Sequence, residues 1–400
     1  MTKKDESNWL NSTVIGASIA SFLSDTSHEI VTVFLPSFLI ALNAPVYALG
    51  VIEGVSDGLS SSVKLFSGYY ADRLKKRKEF SLLGYIATAF FPLILVIANS
   101  WPVVLAGRAF GWLGRGIRGP PRDAILASSV EKKNFGKAFG VHRTGDTLGA
   151  IAGPLAAVYL VSSMHIQLRE IFLVSIIPGI LAAVAFWLLV KEKKSKDAQS
   201  SKPFVFSLKE IPKRFRLFVA AVFSFGIADF SHTLLIFFAV TQLSPSMGLI
   251  GAAAAGAVLY LIRNVSYALF SYPFGSLGDR FGRRKMLALG YGVAVITFIG
   301  FIFAPVDLLV YSILFVLAGA FIAAEDSLEG AVTGELLDDD KRGLGYGVLS
   351  TANGIGDFAS SIIVSSLWSA FGFASGFAFS AVVGLIGTLT LLWTSSLDKK

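Results

Sequence analysis

Asp25, His28 and Glu29 interrupt a run that is otherwise apolar, with V-I-G-A-S-I-A-S-F-L before S-D-T-S-H-E and I-V-T-V-F-L-P-S-F-L-I-A-L after it. Spaced i, i+3 and i+4, the three share one face of a helix. Ionisable groups at membrane depth are costly unless they face a cavity or a partner, which makes them functional candidates. Three chemistries fit. A carboxyl withdrawn from water can load and release a proton. It can also serve as the ion-pair partner of an arginine in a cavity. In the third chemistry, His and carboxylates at helical spacing coordinate a borderline divalent cation. Asp229 and His232 repeat the i, i+3 pair, so the metal reading would use Asp25, His28, Asp229 and His232. H-E-I-V-T departs from H-E-x-x-H because Thr32 stands where the second histidine would be, which disfavours a zinc protease.

Further charges stand in apolar surroundings: Glu53, Asp57 and Lys64; Arg108, Arg115, Arg118, Arg122 and Asp123; His142, Arg143 and Asp146; Arg263; Glu325, Asp326 and Glu329; and Asp357. Guanidinium groups bind carboxylate and phosphate bidentately, so the arginines suit an anionic solute. The alternative is that protein carboxylates balance them entirely. No Walker-type loop is present for ATP, and G-R-G-I-R-G lacks the strand context of a dinucleotide site. An ion or solute gradient is therefore the expected energy source, with no cofactor and no enzymatic reaction. The reading from a different class, an intramembrane metal-binding enzyme or sensor, would need a compact His/carboxylate cluster in one half.

The elements that must hold these residues follow from composition. The chain is 54% hydrophobic and only 16% charged, with a mean hydropathy of +0.66, which does not suit a soluble globule. Its 34 phenylalanines and 39 glycines fit helices packed in lipid, where small residues permit close approach. A spanning helix needs about 20 apolar residues. That criterion gives about twelve spans, starting near Thr13, Tyr47, Phe80, Pro102, Phe135, Leu168, Phe215, Met247, Met286, Val306, Gly343 and Phe373. The expected class is an all-α membrane protein.

Basic loops (72–78, 131–137, 191–196 and 279–285) alternate with loops of almost no charge, such as N-A-P-V-Y and S-P-S-M. The positive-inside rule then puts both termini in the cytoplasm, in a cytoplasmic (inner) membrane. Those loops explain most of the net charge of +8, so nucleic-acid binding is not inferred. M-T-K-K-D-E-S-N-W precedes a span too long for a signal peptide, and no A-x-A-like site follows, so no cleaved leader is expected. The absence of cysteine excludes disulfides and thiolate chemistry without identifying a compartment. Residues 191–214, rich in Lys and Ser, read as a cytoplasmic linker between a bundle over 1–190 and another over 215–400.

The two halves resemble each other. G-Y-Y-A-D-R-L-K-K-R-K recurs 207 residues later as G-S-L-G-D-R-F-G-R-R-K. The same shift carries Gly136, Gly140, Val141, Thr144 and Gly149 onto Gly343, Gly347, Val348, Thr351 and Gly356. A parallel internal repeat is a transporter signature. The paired G-x-x-x-D-R-x-x-(K/R)-(K/R) motif closely resembles the loop motif of the major facilitator superfamily. Gly140-x8-Gly149-x3-Gly153-Pro154 resembles that superfamily's antiporter motif, with Ala157-Val158 in place of its closing glycine pair. Arg108 with Gly111, Gly114 and Gly116 matches a third motif more loosely. S-D-x-S-x-E, G-R-G-I-R-x-x-P-R-D-A and H-R-x-x-D-T-x-G-A resemble an uncharacterised bacterial and archaeal branch, which implies no substrate.

The resemblance implies two pseudo-symmetric six-helix bundles with alternating access and a monomer carrying a small solute, with protons as the coupling ion. The first span of each half would line the cavity, bringing in Asp25, His28, Glu29, Asp229 and His232, with Arg115, Arg118, Arg143, Asp146 and Glu325 further candidates there. Gly68 and Gly275 would let neighbouring spans approach. Asp72 and Asp279 would accept hydrogen bonds at a helix N-terminus, and Arg73 and Arg280 would pair across the cytoplasmic face. Gly149, Gly153 and Pro154 would form a hinge favouring exchange and efflux, the alternative being close packing against span eight. Uptake or exchange of an organic anion, or transport of a divalent metal or its chelate, stays open. The 207-residue shift sets Arg118 on Glu325 and Arg122 on Glu329 as a cytoplasmic gate. Against the gate stands pairing within each half, for instance Arg118 with Asp123 or Asp146. Pro120-Pro121 would spoil the gate's register if it broke the helix.

The loop charges predict that reporter fusions after Lys78, Lys137 and Lys196 read cytoplasmic and one after Asn99 reads periplasmic. A periplasmic signal at Lys196 would contradict the two-half arrangement.

Overall fold

The computed structural model describes residues 9–131, 134–164, 166–192, 212–337 and 342–397. These form α1 (Ser12–Ala41), α2 (Val46–Arg73), α3 (Arg77–Ile97), α4 (Trp101–Ser128), α5 (Phe135–Ser162), α6 (Leu168–Leu189), α7 (Lys213–Gly226), α8 (His232–Phe281), α9 (Arg283–Phe303), α10 (Leu308–Leu336), α11 (Arg342–Phe371) and α12 (Phe373–Leu397). The expected linker falls largely on residues 193–211, outside those described.

Helix ends follow local chemistry. Glu170 reaches back to the Gln167 amide at the start of α6 (3.2 Å), and Asp307 accepts from the Val310 amide to cap α10 (3.0 Å). Gly372, at φ +83°, turns the chain between α11 and α12 in a conformation that a Cβ would strain.

Spans seven and eight differ from expectation. The seventh is not continuous: α7 stops at Gly226, and the helix resumes at His232. That second run meets the eighth span at Gly248, whose φ of +70° and ψ of 166° interrupt the 50 residues of α8. Seven of the described helices are long and apolar enough to cross a membrane by length and composition. Among the others, α1, α2 and α4 hold many of the ionisable residues, and α7 is cut short by the break. Pro120 and Pro121 lie inside α4, which continues through them to Ser128.

The chain forms two compact units, one of residues 1–35 and 59–205, the other of 36–58 and 206–400. In the first, α3 packs against α4 and α6. Val14, Ala17 and Ala20 of α1 join Tyr85, Ile125, Leu126, Ala182 and Phe186 in a buried core. Gly145, Gly149 and Gly153 of α5 lie over the Ser18, Phe22 and Thr26 carbonyls of α1. Both series step by four residues, so two helices running the same way approach along a stripe without side chains. The α5 stripe is thus packed on α1 within the first unit.

In the second unit α8 packs against α10, α9 against α12 and α10, and α7 against α11 and α12. Its core is aromatic. Phe238, Phe301 and Trp368 surround Phe377 at centroid distances of 5.0 to 5.2 Å. Phe230, within the α7–α8 break, adds its ring against Phe298 and Trp368. Gly54 and Gly58 of α2 pack against Phe358 of α11.

A Cβ on Gly153 would stand 2.9 Å from the Thr26 carbonyl and press on Glu29. Gly153→Val is expected to destabilise the purified protein by about 1–3 kcal/mol, read as a lowered unfolding temperature; an unchanged value would mean that the α1–α5 contact is not tight.

Candidate functional site

A polar ladder joins α1 to α4. On α4, Arg108, Trp112, Arg115, Arg118 and Arg122 recur at steps of four and three, one helical stripe. On α1, Ser21, Ser24, Asp25, His28 and Thr32 form the matching stripe. Arg108, fully buried, donates to the Thr32 hydroxyl (3.2 Å) and lies 3.5 Å from the centre of the Trp112 ring. His28 meets the edge of Trp112 at a centroid distance of 4.5 Å and contacts Thr32 through Nε2 at 3.3 Å. Asp25 pairs with Arg118 at 3.6 Å and Arg115 at 3.9 Å. Arg118 also donates to Ser24 and to Thr88 of α3, and packs over the Tyr85 ring. Glu29 is buried on the same helix, with its Cβ beside Gly153.

At the end of the ladder, Asp146 of α5 accepts from Ser21 and lies 3.9 Å from His142 and 3.8 Å from Arg143. Arg143 itself is largely exposed. Arg122 pairs with Asp123 at 2.9 Å and reaches Ser21. Two suggested pairings are therefore corrected: the carboxylate of Arg118 is Asp25, and Asp123 serves Arg122. Proximity in space, not in sequence, selects Asp25, because α1 crosses α4 at that level.

The second D-x-x-H pair is not a copy of the first. Asp229 lies in the break, so Asp229 and His232 do not share a helical face, as had been expected. The break persists because α11 supplies what the helix would have. Ser360 donates to the Asp229 carbonyl (2.6 Å), and Ser361 accepts from the Ser231 amide (3.0 Å). His232 contacts the Tyr260 hydroxyl through Nε2 (3.1 Å) and stacks on that ring. Glu325 and Glu329 are buried on α10, and Glu329 accepts from Tyr291 (2.5 Å) and Asn353 (2.7 Å). Among the described residues, no three His, Asp or Glu side chains are grouped to hold a metal ion.

In the loop motifs, Gly68 approaches Pro120 of α4, whereas Gly275 has open space and Gly278 makes the close approach, to Leu328. The side chain of Asp72 lies outside those described, and Arg73 ends α2 at an exposed position. Asp279 accepts from the Arg283 guanidinium (3.0 Å), which also reaches Glu335 (3.5 Å). The partner of Asp279 is therefore a side chain on the first turn of α9, where backbone amides had been expected. Arg280 packs beside the Phe281 ring. Trp112 and the Ser360-Ser361 pair were missed in the sequence. The period of the α4 arginines would have exposed Trp112; no local signal marks the serines.

Removing Arg118 leaves Asp25, 14% exposed, with the more distant Arg115 as its remaining ion-pair partner among the described residues. Arg118→Gln is expected to lower stability by on the order of 3 kcal/mol in thermal unfolding. Asp25→Asn in the same chain should recover part of the loss, because coupled residues are non-additive. Purely additive losses would show that the pair does not interact.

The family model for the Major Facilitator Superfamily matches residues 17–265 and 242–400. An uncharacterised MFS-type transporter of Methanocaldococcus jannaschii is 30% identical, with 96% of this chain and 95% of the relative covered. The multidrug resistance protein MdtG of Escherichia fergusonii is 26% identical, with 96% and 94% covered. Among solved structures, a D323A mutant of the nucleoside transporter NupG superposes with a TM-score of 0.79 at 15% identity, covering 96% of this chain and 99% of that one. A bacterial homologue of the human lysosomal transporter Spinster gives 0.74 at 17%, covering 96% of each. These proteins are transporters, not enzymes, and the two solved structures share the fold described above. The chain is a multi-pass membrane transporter and belongs to the major facilitator superfamily.

Proposed function

We propose that the chain is a proton-coupled secondary transporter of the cytoplasmic membrane, with both termini in the cytoplasm, that exports a small organic solute by exchange. The observation that carries this reading is Asp25, mid-way along a spanning helix and 14% exposed, held between Arg115 and Arg118. A proton on that carboxyl removes both ion pairs at once. Breaking a buried pair is worth about 3–5 kcal/mol, and inverting a two-state population from 1:99 to 99:1 takes about 5.5 kcal/mol. One proton at this site therefore works on the right energy scale to shift α1 against α4. The α5 glycine stripe rests on the same turns of α1, with Gly149 beside Asp25 and Gly153 beside Glu29. A change at Asp25 is thus felt by α5 as well. The name of the MdtG relative supports export.

A second reading, uptake or exchange of an organic anion, draws on the arginine stripe of α4. Arg115, one-third exposed, is the member best placed to meet a solute carboxylate or phosphate.

In proteoliposomes, the amide variant of the coupling residue should abolish transport driven by a pH gradient while leaving counterflow exchange measurable. Asp25→Asn is the first variant and Glu29→Gln the second. Full pH-driven transport in both would remove the assignment.

A further inference from the structure

Around the α7–α8 break the second unit gathers acid. Asp229, Glu325, Asp326, Glu329 and Asp357 lie close enough to act on one another electrostatically, and Asp57 acts on Asp357. Arg263 is the cation that acts on Asp229; it also binds the neighbouring Asn264 side chain (3.2 Å) and lies 5.9 Å from the Tyr260 ring centre. Neutral donors satisfy some of the oxygens: Tyr291 and Asn353 serve Glu329, Tyr267 serves Asp326 (2.8 Å), and Ser231 reaches Glu53 (3.4 Å).

Glu325 is different. It is 9% exposed, yet its Oε2 receives no hydrogen bond. The carboxyls acting on it are those of Asp229, Glu329, Asp326 and Asp357. A buried carboxylate among carboxylates calls for protons or a positive ligand.

The backbone gives an independent indication. Non-helical chain at membrane depth persists where it is buried in protein or lines a cavity, and broken helices in transporters direct their ends at charged cargo or ions. Here α7 ends at Gly226, three residues before Asp229, so the negative end of its dipole adds to the acidic field. A bare metal ion does not fit, since no three carboxyl or imidazole groups among the described residues are grouped to chelate one. The occupant must be larger, able to touch acids set apart from one another. Aromatic rings pack beside these acids, Tyr291 stacked on Phe225 at 3.6 Å and Tyr260 on His232 at 5.0 Å, which makes the surroundings of the cluster apolar.

From this arrangement we infer that the acidic cluster around the α7–α8 break binds an organic cation, a solute with an ammonium or amidinium group on an apolar or aromatic body, as the cargo. The inference rests on the transporter reading above and deepens it. Cargo and protons neutralise the same carboxyls, so one must leave before the other binds, and exchange follows.

The test measures binding without any gradient. Purified protein in lipid nanodiscs is titrated with ethidium, tetraphenylphosphonium and spermidine at pH 8 and pH 5.5, with fluorescein as an anionic control. Saturable binding of at least one cation at pH 8, weakened at pH 5.5, with none of fluorescein, is expected. Glu325→Gln and Asp357→Asn should each weaken that binding by about tenfold, the scale of one lost charge pair, in protein that elutes and unfolds like the parent. If one variant fails to fold, the other and the pH titration of the parent still decide. The inference falls if none of the three cations binds saturably, if fluorescein binds equally well, or if folded variants bind as tightly as the parent. Flux measurements separate the two readings. Cation binding without pH-driven flux would remove the coupled-transport reading and keep the site. An Asp25→Asn defect in pH-driven transport of another solute, with no cation bound, would remove the cargo class and keep coupling.

Discussion

The constraint on which this structure depends is the neutralisation of charge in an apolar setting. An arginine or carboxylate at membrane depth must be paired, bonded or hydrated through a cavity. The α1–α4 interface is organised by that requirement. Four arginines on one stripe of α4 are received by hydroxyls and one aspartate of α1 and by the indole of Trp112 on α4 itself. Packing follows from it: α1 presents this polar face to α4, small residues to the first unit's core, and a row of carbonyls to the glycines of α5. A single helix thus carries ionic, apolar and close-backbone contacts on three sides.

The second unit meets the backbone form of the same constraint. Unpaired amides and carbonyls are no more welcome in hydrocarbon than unpaired charges. The interruption between Gly226 and His232 is held by two consecutive serines of α11, one donating and one accepting, while Phe230 anchors the loop in the aromatic core. Rigid aromatic packing on one side and hydrogen bonds on the other hold Asp229 at a defined place without a helix around it.

The two halves therefore share a scaffold and differ in chemistry. The loop motif recurs, yet its close glycine contact is at Gly68 in one copy and Gly278 in the other. Arg118 and Glu325 occupy equivalent positions 207 residues apart with opposite charge, one in an arginine stripe and the other among acids. The two copies share small residues and the loop motif and differ in the charges of their polar faces.

Class, most span positions and the internal repeat were legible in the sequence because each depends on local properties: a run of apolar residues, a basic loop, a spacing. The acidic face of α1 was legible for the same reason, as was the charge of α4. Partner choice was not. Arg118 meets Asp25 rather than Asp123, which is nearer in sequence, and the α5 glycines meet α1, because helix crossings bring together residues far apart in the chain. The break at Asp229 was hidden most deeply, since Asp229 and His232 have perfectly good helical spacing. Their conformation is set by Ser360 and Ser361, some 130 residues away, and only the folded chain supplies the hydrogen bonds that make leaving the helix affordable there.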